Sequence, residues 1–179
     1  MIIRFFKTSY FSRLLVLTLL IFALWLPEMI ILTGNVSSGQ TSFLTLNPWT
    51  QQLFSIILFL LTALLINQVA TKHRLTVRNS YLTAFFFILI GSSSGFLTQM
   101  SPFLLATFFF AFFYGKIFDF QNSTKLITTS FNAGLFLGLA SLFFQPAVLF
   151  VLFAWFALLV YQADRWRAYV TVVLGMLLP

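Results

Sequence analysis

The basic residues of this chain lie only in every second gap between its long apolar segments. All ten precede the first segment or lie at or beyond the end of the second, fourth and sixth: Arg4, Lys7, Arg13, Lys72, Arg74, Arg78, Lys116, Lys125, Arg165 and Arg167. The alternate gaps contain no Lys or Arg. Cytoplasmic loops of membrane proteins carry an excess of these residues, because transfer of a cation across hydrocarbon is costly. The pattern therefore predicts a chain that crosses a membrane repeatedly and has its N-terminus in the cytoplasm.

The composition excludes the common classes of water-soluble protein. Of the 179 residues, 60% are hydrophobic and 7% are charged, whereas soluble domains have about 45–50% and about 25%. The sequence has no cysteine, which excludes a small secreted protein held by disulfides. The net charge of +7 would suit nucleic acid only if the basic residues formed one patch. Their distribution instead predicts the lipid bilayer as a partner, and no nucleic acid.

Six apolar segments are long enough to cross a bilayer as helices. About 20 residues are needed at about 1.5 Å each, and about 17 suffice. The predicted spans cover residues 14–32, 48–70, 81–97, 102–118, 126–144 and 146–162. We therefore predict an all-α fold, a polytopic transmembrane helical bundle that forms one domain over residues 1–179.

The two ends of the chain are less regular than its middle. Residues 1–13 mix bulky apolar side chains with basic ones, which is typical either of a short cytoplasmic interfacial helix or of the frayed start of span one. A seventh apolar segment, 168–179, would extend only about 18 Å. It predicts either a segment packed against protein or the start of a seventh span in a longer protein, and we favour the longer protein.

Three predicted spans begin with similar dipeptides: Asn47-Pro48, Ser101-Pro102 and Gln145-Pro146. Proline suits the first helical position, where its missing N–H would have no intrahelical partner, and Asn or Ser is a good N-cap before it. These spans are also the ones that start on the side without basic residues. The helix-start pattern and the charge pattern therefore predict the same topology.

Small residues mark one face of span five. Ser130, Gly134, Gly138 and Ser141 recur at spacings of four and three, which predicts a surface that another helix approaches closely. That helix belongs either to this chain or to another membrane protein subunit, and the spacing does not distinguish the two.

Tryptophans mark the predicted membrane boundaries. Trp25 and Trp49 fall near one boundary and Trp166 near the other, as in the aromatic belts of membrane proteins. Trp155 falls in the middle of span six and is predicted to pack between helices.

Few residues are suited to chemistry. The sequence has one histidine, His73, no cysteine and three dispersed acids, so no metal or cofactor site is predicted. Glu28, near the end of span one, is a weak catalytic candidate, because an ionisable group at the edge of a bilayer is costly and often functional. A protonated acid, or one bonded to a neighbouring helix N-terminus, is the alternative role for Glu28.

Four arginines are predicted to contact anionic lipid headgroups at the cytoplasmic face: Arg74, Arg78, Arg165 and Arg167. The cytoplasmic leaflet attracts basic residues that lie close to the ends of transmembrane helices.

Several short sequences form a recognisable set: Leu24-Trp25-Leu26-Pro27, Phe131-Asn132-Ala133-Gly134, Arg165-Trp166-Arg167 and the closing Leu174-Gly175-Met176-Leu177-Leu178-Pro179. Over nearly the whole chain they resemble an uncharacterised family of multi-pass inner-membrane proteins of Bacteroidota. The resemblance implies a longer membrane protein and no particular activity.

A second and fainter set is Glu28, the glycine-rich span with Gly134 and Gly138, and the following Pro146. Its layout is similar to that of the type C glycosyltransferases, which use lipid-linked sugar donors. This resemblance implies a membrane enzyme with Glu28 as its general base.

The sequence as a whole predicts a non-catalytic subunit or helical scaffold of a larger membrane complex. This prediction depends on the small-residue face, the lipid-adapted surface and the lack of a reactive constellation in the sequence. The glycosyltransferase and one half of a transporter are the alternatives, so whether the chain is an enzyme stays open.

Overall fold

The computed structural model describes residues 15–25, 48–76, 81–93, 101–120, 126–161 and 166–179. Regular structure within these ranges is entirely helical, which confirms the all-α prediction for them. The α-helices are α1 (Leu15–Trp25), α2 (Pro48–Lys72), α3 (Leu82–Ser92), α4 (Pro102–Asp119), α5 (Leu126–Phe143), α6 (Phe150–Val160) and α7 (Trp166–Leu177). A 3-10 helix, Gln145–Leu149, leads directly into α6.

Three of these helices, α2, α4 and α5, are long and apolar enough to cross a membrane. They correspond to the predicted spans 48–70, 102–118 and 126–144. The remaining apolar helices have 10–17 residues, so the described structure supports three spans where the sequence predicts six. Spans one and three are predicted to run beyond α1 and α3 into residues 26–32 and 94–97, which lie outside the described ranges. The structure is therefore that of a helical membrane protein with three candidate spans.

Buried hydroxyl groups of α2 bond to the backbone of the same helix. Thr62 donates to the carbonyl oxygen of Leu58 at 2.7 Å, and Ser55 donates to that of Gln52 at 2.8 Å. In hydrocarbon every polar group must be satisfied within the protein, and a helix achieves this for its own backbone. These two side chains follow the same rule.

Two helix starts behave differently from each other. At α4 the Ser101 hydroxyl accepts a hydrogen bond from the Leu104 N–H at 3.3 Å, which is the predicted N-cap. Before α6 it is Phe144 that is extended, and the 3-10 helix begins at Gln145 with Pro146 in its first turn and no side-chain cap. Gln145 is therefore a helical residue, and the predicted common start fails there.

The 3-10 helix lengthens the segment that ends with α6. A 3-10 helix rises about 2.0 Å per residue, compared with about 1.5 Å in an α-helix. Residues 145–160 therefore extend about 26 Å, close to the thickness of about 30 Å of a hydrocarbon core.

The chain divides into two compact units, residues 1–104 and 105–179. In the first unit Phe59 of α2 lies between Trp25 of α1 and Phe87 of α3, with ring centroids 5.4 Å apart in both pairs. The Trp25 indole N–H donates to the Ser92 hydroxyl at 3.2 Å. Trp25 is fully buried, so its indole packs and bonds within the protein and not against lipid headgroups. A buried indole needs a hydrogen-bond acceptor, and Ser92 provides one.

Aromatic pairs in the second unit fix the directions of α4 and α5. Phe109 stacks on Phe143 at 5.9 Å, and Phe112 stacks on Phe136 at 5.1 Å. The residue number rises along α4 as it falls along α5, so the two helices are antiparallel.

The same unit has two ring contacts between α4 and α6. Phe110 meets Phe150 at 4.9 Å, and Tyr114 meets Phe153 at 6.0 Å. Both numbers rise together, so α4 and α6 are parallel. Trp155 of α6 donates its indole N–H to the Tyr169 carbonyl oxygen of α7 at 3.3 Å, and this side chain therefore joins two helices as predicted.

Replacement of Phe59 by Ala should destabilise the protein strongly, because this fully buried ring would leave a cavity between Trp25 and Phe87. Loss of a buried Phe costs about 3–5 kcal/mol. Phe54→Ala is the matched control on the same helix, since the Phe54 side chain is 49% exposed. The free energy of unfolding in detergent micelles measures both. Equal losses at the two positions would contradict the packing described for the first unit.

Candidate functional site

The backbones of α5 and α7 are in close contact. A Cβ atom added at Gly134 would overlap the backbone carbonyl group of Val172. A Cβ atom added at Gly138 would lie 2.5 Å from the carbonyl oxygen of Met176. Neither position has room for a side chain, so the backbones of α5 and α7 touch along this face.

Gly175 of α7 makes the reciprocal contact. A Cβ atom there would overlap the Phe131 carbonyl oxygen and lie 3.0 Å from the Leu135 nitrogen. The sequence analysis did not single out Gly175. A signal for it exists, because the buried Ala168, Val172 and Gly175 recur at spacings of four and three, as the small residues of α5 do.

These contacts also fix the direction and register of α7. Gly134 lies against Val172 and Gly138 against Met176, so the residue number rises by four along both helices. α5 and α7 are therefore parallel, with a constant offset of 38 residues between the partners, since 172 − 134 and 176 − 138 are both 38. This register brings the start of α7 to the same end of the unit as the start of α5.

The two serines of the predicted face have different environments. Ser130 is fully buried, level with the fully buried Ala168 in the register above, and its hydroxyl has no hydrogen-bond partner among the described residues. Ser141 is partly exposed and donates to the Gly138 carbonyl oxygen at 2.7 Å. The predicted face Ser130, Gly134, Gly138 and Ser141 is thus occupied by α7 of the same chain at its two glycines.

Three residues of the first unit with buried, unpartnered polar atoms lie towards the end of α2 and the start of α3. Asn67 is 7% exposed, and its side-chain oxygen has no partner within the described ranges. The same is true of the hydroxyls of Thr76 and Thr83. Residues 77–80, which connect these helices, lie outside the described part of the chain.

Basic residues of the second unit lie at a single end within the described ranges. Lys116 is in the last turn of α4, 3.7 Å from Asp119, and Arg167 is in the first turn of α7. Because α4 is antiparallel and α7 parallel to α5, both residues lie at the end where α5 begins. Gln145 lies at the opposite end.

Several predicted site residues lie outside the described ranges. Glu28, Arg78 and Arg165 are among them, so the structure does not describe the proposed catalytic acid. Of the predicted lipid contacts, Arg74 and Arg167 are described, and both are exposed.

Arg74 has a backbone conformation that the sequence analysis missed. Its φ is +54°, in the left-handed region that glycine usually occupies. Its N–H bonds to the Thr71 carbonyl oxygen at 3.2 Å, and the Leu75 N–H bonds to that of Ala70 at 2.9 Å. These two bonds form a Schellman motif that ends α2, with arginine at the position where glycine is preferred.

No cluster of three or more His, Cys, Asp or Glu side chains that could hold a metal ion is found in the described part of the chain.

Comparison of this chain with protein-family models, curated proteins and solved structures finds no match. The resemblances to an inner-membrane family and to type C glycosyltransferases stay predictions.

Replacement of Gly134 by Ala should destabilise the protein, because the added methyl group would push α7 away from α5. Helix propensity alone predicts the opposite sign, since Ala is favoured over Gly by about 1 kcal/mol in a helix. A loss of unfolding free energy would thus report the backbone contact directly. Ser141→Ala is the control on the same face, where no atom is added and about 1 kcal/mol or less should be lost. Stabilisation by Gly134→Ala would contradict the contact.

Proposed function

We propose that this chain is a non-catalytic scaffold subunit of a larger complex in the bacterial inner membrane. In the proposed topology the chain crosses the membrane six times and starts a seventh span, and its N-terminus is cytoplasmic. Other membrane protein subunits are the proposed partners, and the bilayer surrounds the rest of the surface.

The exposed surface of the 145–160 segment carries this proposal. Large apolar side chains are exposed along one whole face of it: Val148, Leu149, Leu152, Phe153, Phe156, Leu159 and Val160. In water such a surface would be a strong aggregation hazard. In hydrocarbon it is the ordinary exterior of a spanning helix. It therefore supports a sixth span, although α6 alone has only 11 residues.

The proposed orientation is supported by the charge at the helix ends. Lys116 and Arg167 share one end of the second unit, and Lys72 and Arg74 share the end of α2 in the first. Basic residues at alternate helix ends favour a cytoplasmic location for those ends.

The scaffold role is supported by how the polar side chains of the described helices are used. Hydroxyls of α2, α5 and α7 donate to carbonyl oxygens of their own helices, three or four residues earlier: Ser55, Thr62, Thr71, Ser141 and Thr171. These groups are engaged in holding helices, and the glycines of α5 and α7 are engaged in joining them. The described residues thus favour rigid helix packing over a reactive centre.

Single cysteines at the two ends of α5 should test the orientation, because the natural sequence has none. Thr128 and Gln145 are both exposed. A membrane-impermeant maleimide added to spheroplasts should label Gln145→Cys at once, and Thr128→Cys only after permeabilisation. The reversed pattern would contradict the proposed topology, and labelling of both without permeabilisation would contradict a span at α5.

Purification from native membranes in mild detergent should bring down a stoichiometric partner subunit. Substitution by tryptophan identifies the surface that contacts the partner. The sites are Leu152 of α6 and Leu174 of α7, and both side chains are more than half exposed. Lipid accommodates a larger side chain, whereas a packed protein interface is disrupted by one. At least one of Leu152→Trp and Leu174→Trp should therefore lose the partner.

The control for this experiment is the folded state of each variant, measured by size-exclusion chromatography and thermal unfolding. A wild-type protein that purifies alone and monodisperse would contradict the scaffold proposal.

A further inference from the structure

We propose that the end of α2, residues 72–75, is a binding site for the phosphate of an anionic phospholipid headgroup, with Arg74 as the residue that contacts it. This inference rests on the proposed function only in placing the end of α2 at the cytoplasmic surface. It narrows the four predicted lipid contacts to a site at one helix end and gives the phosphate as the group that Arg74 binds.

The backbone conformation of Arg74 is unfavourable for arginine. Its φ of +54° brings Cβ close to the following carbonyl oxygen, which glycine avoids because it has no Cβ. A position of this kind is ordinarily glycine or asparagine. Strained residues of this type persist where the surroundings or a ligand compensate for them.

The last carbonyl oxygens of α2 are satisfied without the Arg74 side chain. The carbonyl oxygens of Val69, Ala70 and Thr71 already accept backbone N–H groups, from residues 73, 75 and 74, at 3.1, 2.9 and 3.2 Å. Within the described residues the Arg74 guanidinium forms no ion pair. The described part of the chain therefore does not neutralise its charge.

The neighbours of Arg74 are a second cation and an apolar side chain. Lys72 is exposed, and Leu75 is 57% exposed. An exposed leucine beside two exposed cations, at the end of a helix long enough to span, is typical of the boundary between headgroups and acyl chains. Leu75 would contact acyl chains, while the guanidinium pairs with phosphate through two parallel N–H donors. An acidic protein segment would satisfy the charge but not the exposed leucine, so we favour the lipid.

Thermal unfolding of the full chain in nanodiscs tests this proposal. The discs contain either phosphatidylcholine alone or a mixture with phosphatidylglycerol. We expect a higher Tm for the wild type in the phosphatidylglycerol discs. Arg74→Gly should raise the Tm in phosphatidylcholine by about 2–4 °C, because the backbone strain is relieved, and should lose most of the gain from phosphatidylglycerol.

Two further variants separate charge from strain. Arg74→Asn tolerates the left-handed conformation without charge and should behave like Arg74→Gly. Arg74→Lys keeps both the charge and the strain, and it should keep at least half of the rise in Tm that phosphatidylglycerol gives the wild type. Lys116→Gln is the matched control, since it removes one positive charge from a residue that already pairs with Asp119. This control should keep most of the rise in Tm in the phosphatidylglycerol discs.

The lipid mixture that copurifies with each variant gives a second readout that does not depend on unfolding. Phosphatidylglycerol should be enriched with the wild type and with Arg74→Lys, and about twofold or more depleted with Arg74→Gly.

Four outcomes would overturn the proposal. Equal rises in Tm for Arg74→Gly in both discs would mean that the residue is strained without a ligand. Equal losses in both discs would mean that the cation serves only the helix dipole. A gain reproduced by inorganic phosphate in phosphatidylcholine discs would exclude a lipid as the specific source. Loss of a copurifying subunit with no change in lipid would assign Arg74 to a protein contact.

Cysteine labelling of α5 is independent of all four outcomes. A failed lipid site with correct labelling would leave the proposed topology intact, whereas reversed labelling would remove the basis of both proposals.

Discussion

Direct backbone contact between α5 and α7 is the constraint on which the packing of the second unit depends. Side chains in hydrocarbon gain little from leaving lipid, so helices associate through close fit and polar bonds instead. Gly134, Gly138 and Gly175 permit that fit because none of them holds a Cβ between the two backbones. The ring pairs of α4 with α5 and α6 then add contacts on other faces. A unit built in this way has small residues at its tightest contact and large aromatic rings around it.

The position of charge in the described chain follows from the same environment. Cations lie at helix ends, where water and headgroups meet the protein, while the buried hydroxyls of Ser55 and Thr62 bond to the helix that carries them. Arg74 completes the last turn of α2 with its backbone N–H, and its side chain is exposed. A membrane protein in which such polar groups serve helix ends and helix interiors is suited to an architectural role, which is the function that we propose.

Much of the fold was predictable from sequence, because the hydropathy pattern and the helix-start residues act locally. The bounds of α2, α4 and α5 and the cap at Ser101 belong to this class. Contacts that depend on distant residues were not predictable. The hydrogen bond from Trp25 to Ser92, 67 residues later in the chain, is one of them. The spacing of Gly134 and Gly138 identified a face but not the helix on it. The left-handed conformation of Arg74 could not be anticipated either, since glycine or asparagine would be expected there.

The 3-10 turn before α6 has a consequence for the surrounding lipid. Even with its greater rise per residue, this segment is a few ångströms shorter than a typical hydrocarbon core. A short span is accommodated by local compression of the bilayer, at a fraction of a kcal/mol for each ångström of mismatch. As the proposed sixth span, this segment would therefore draw the two headgroup layers beside it a few ångströms closer together.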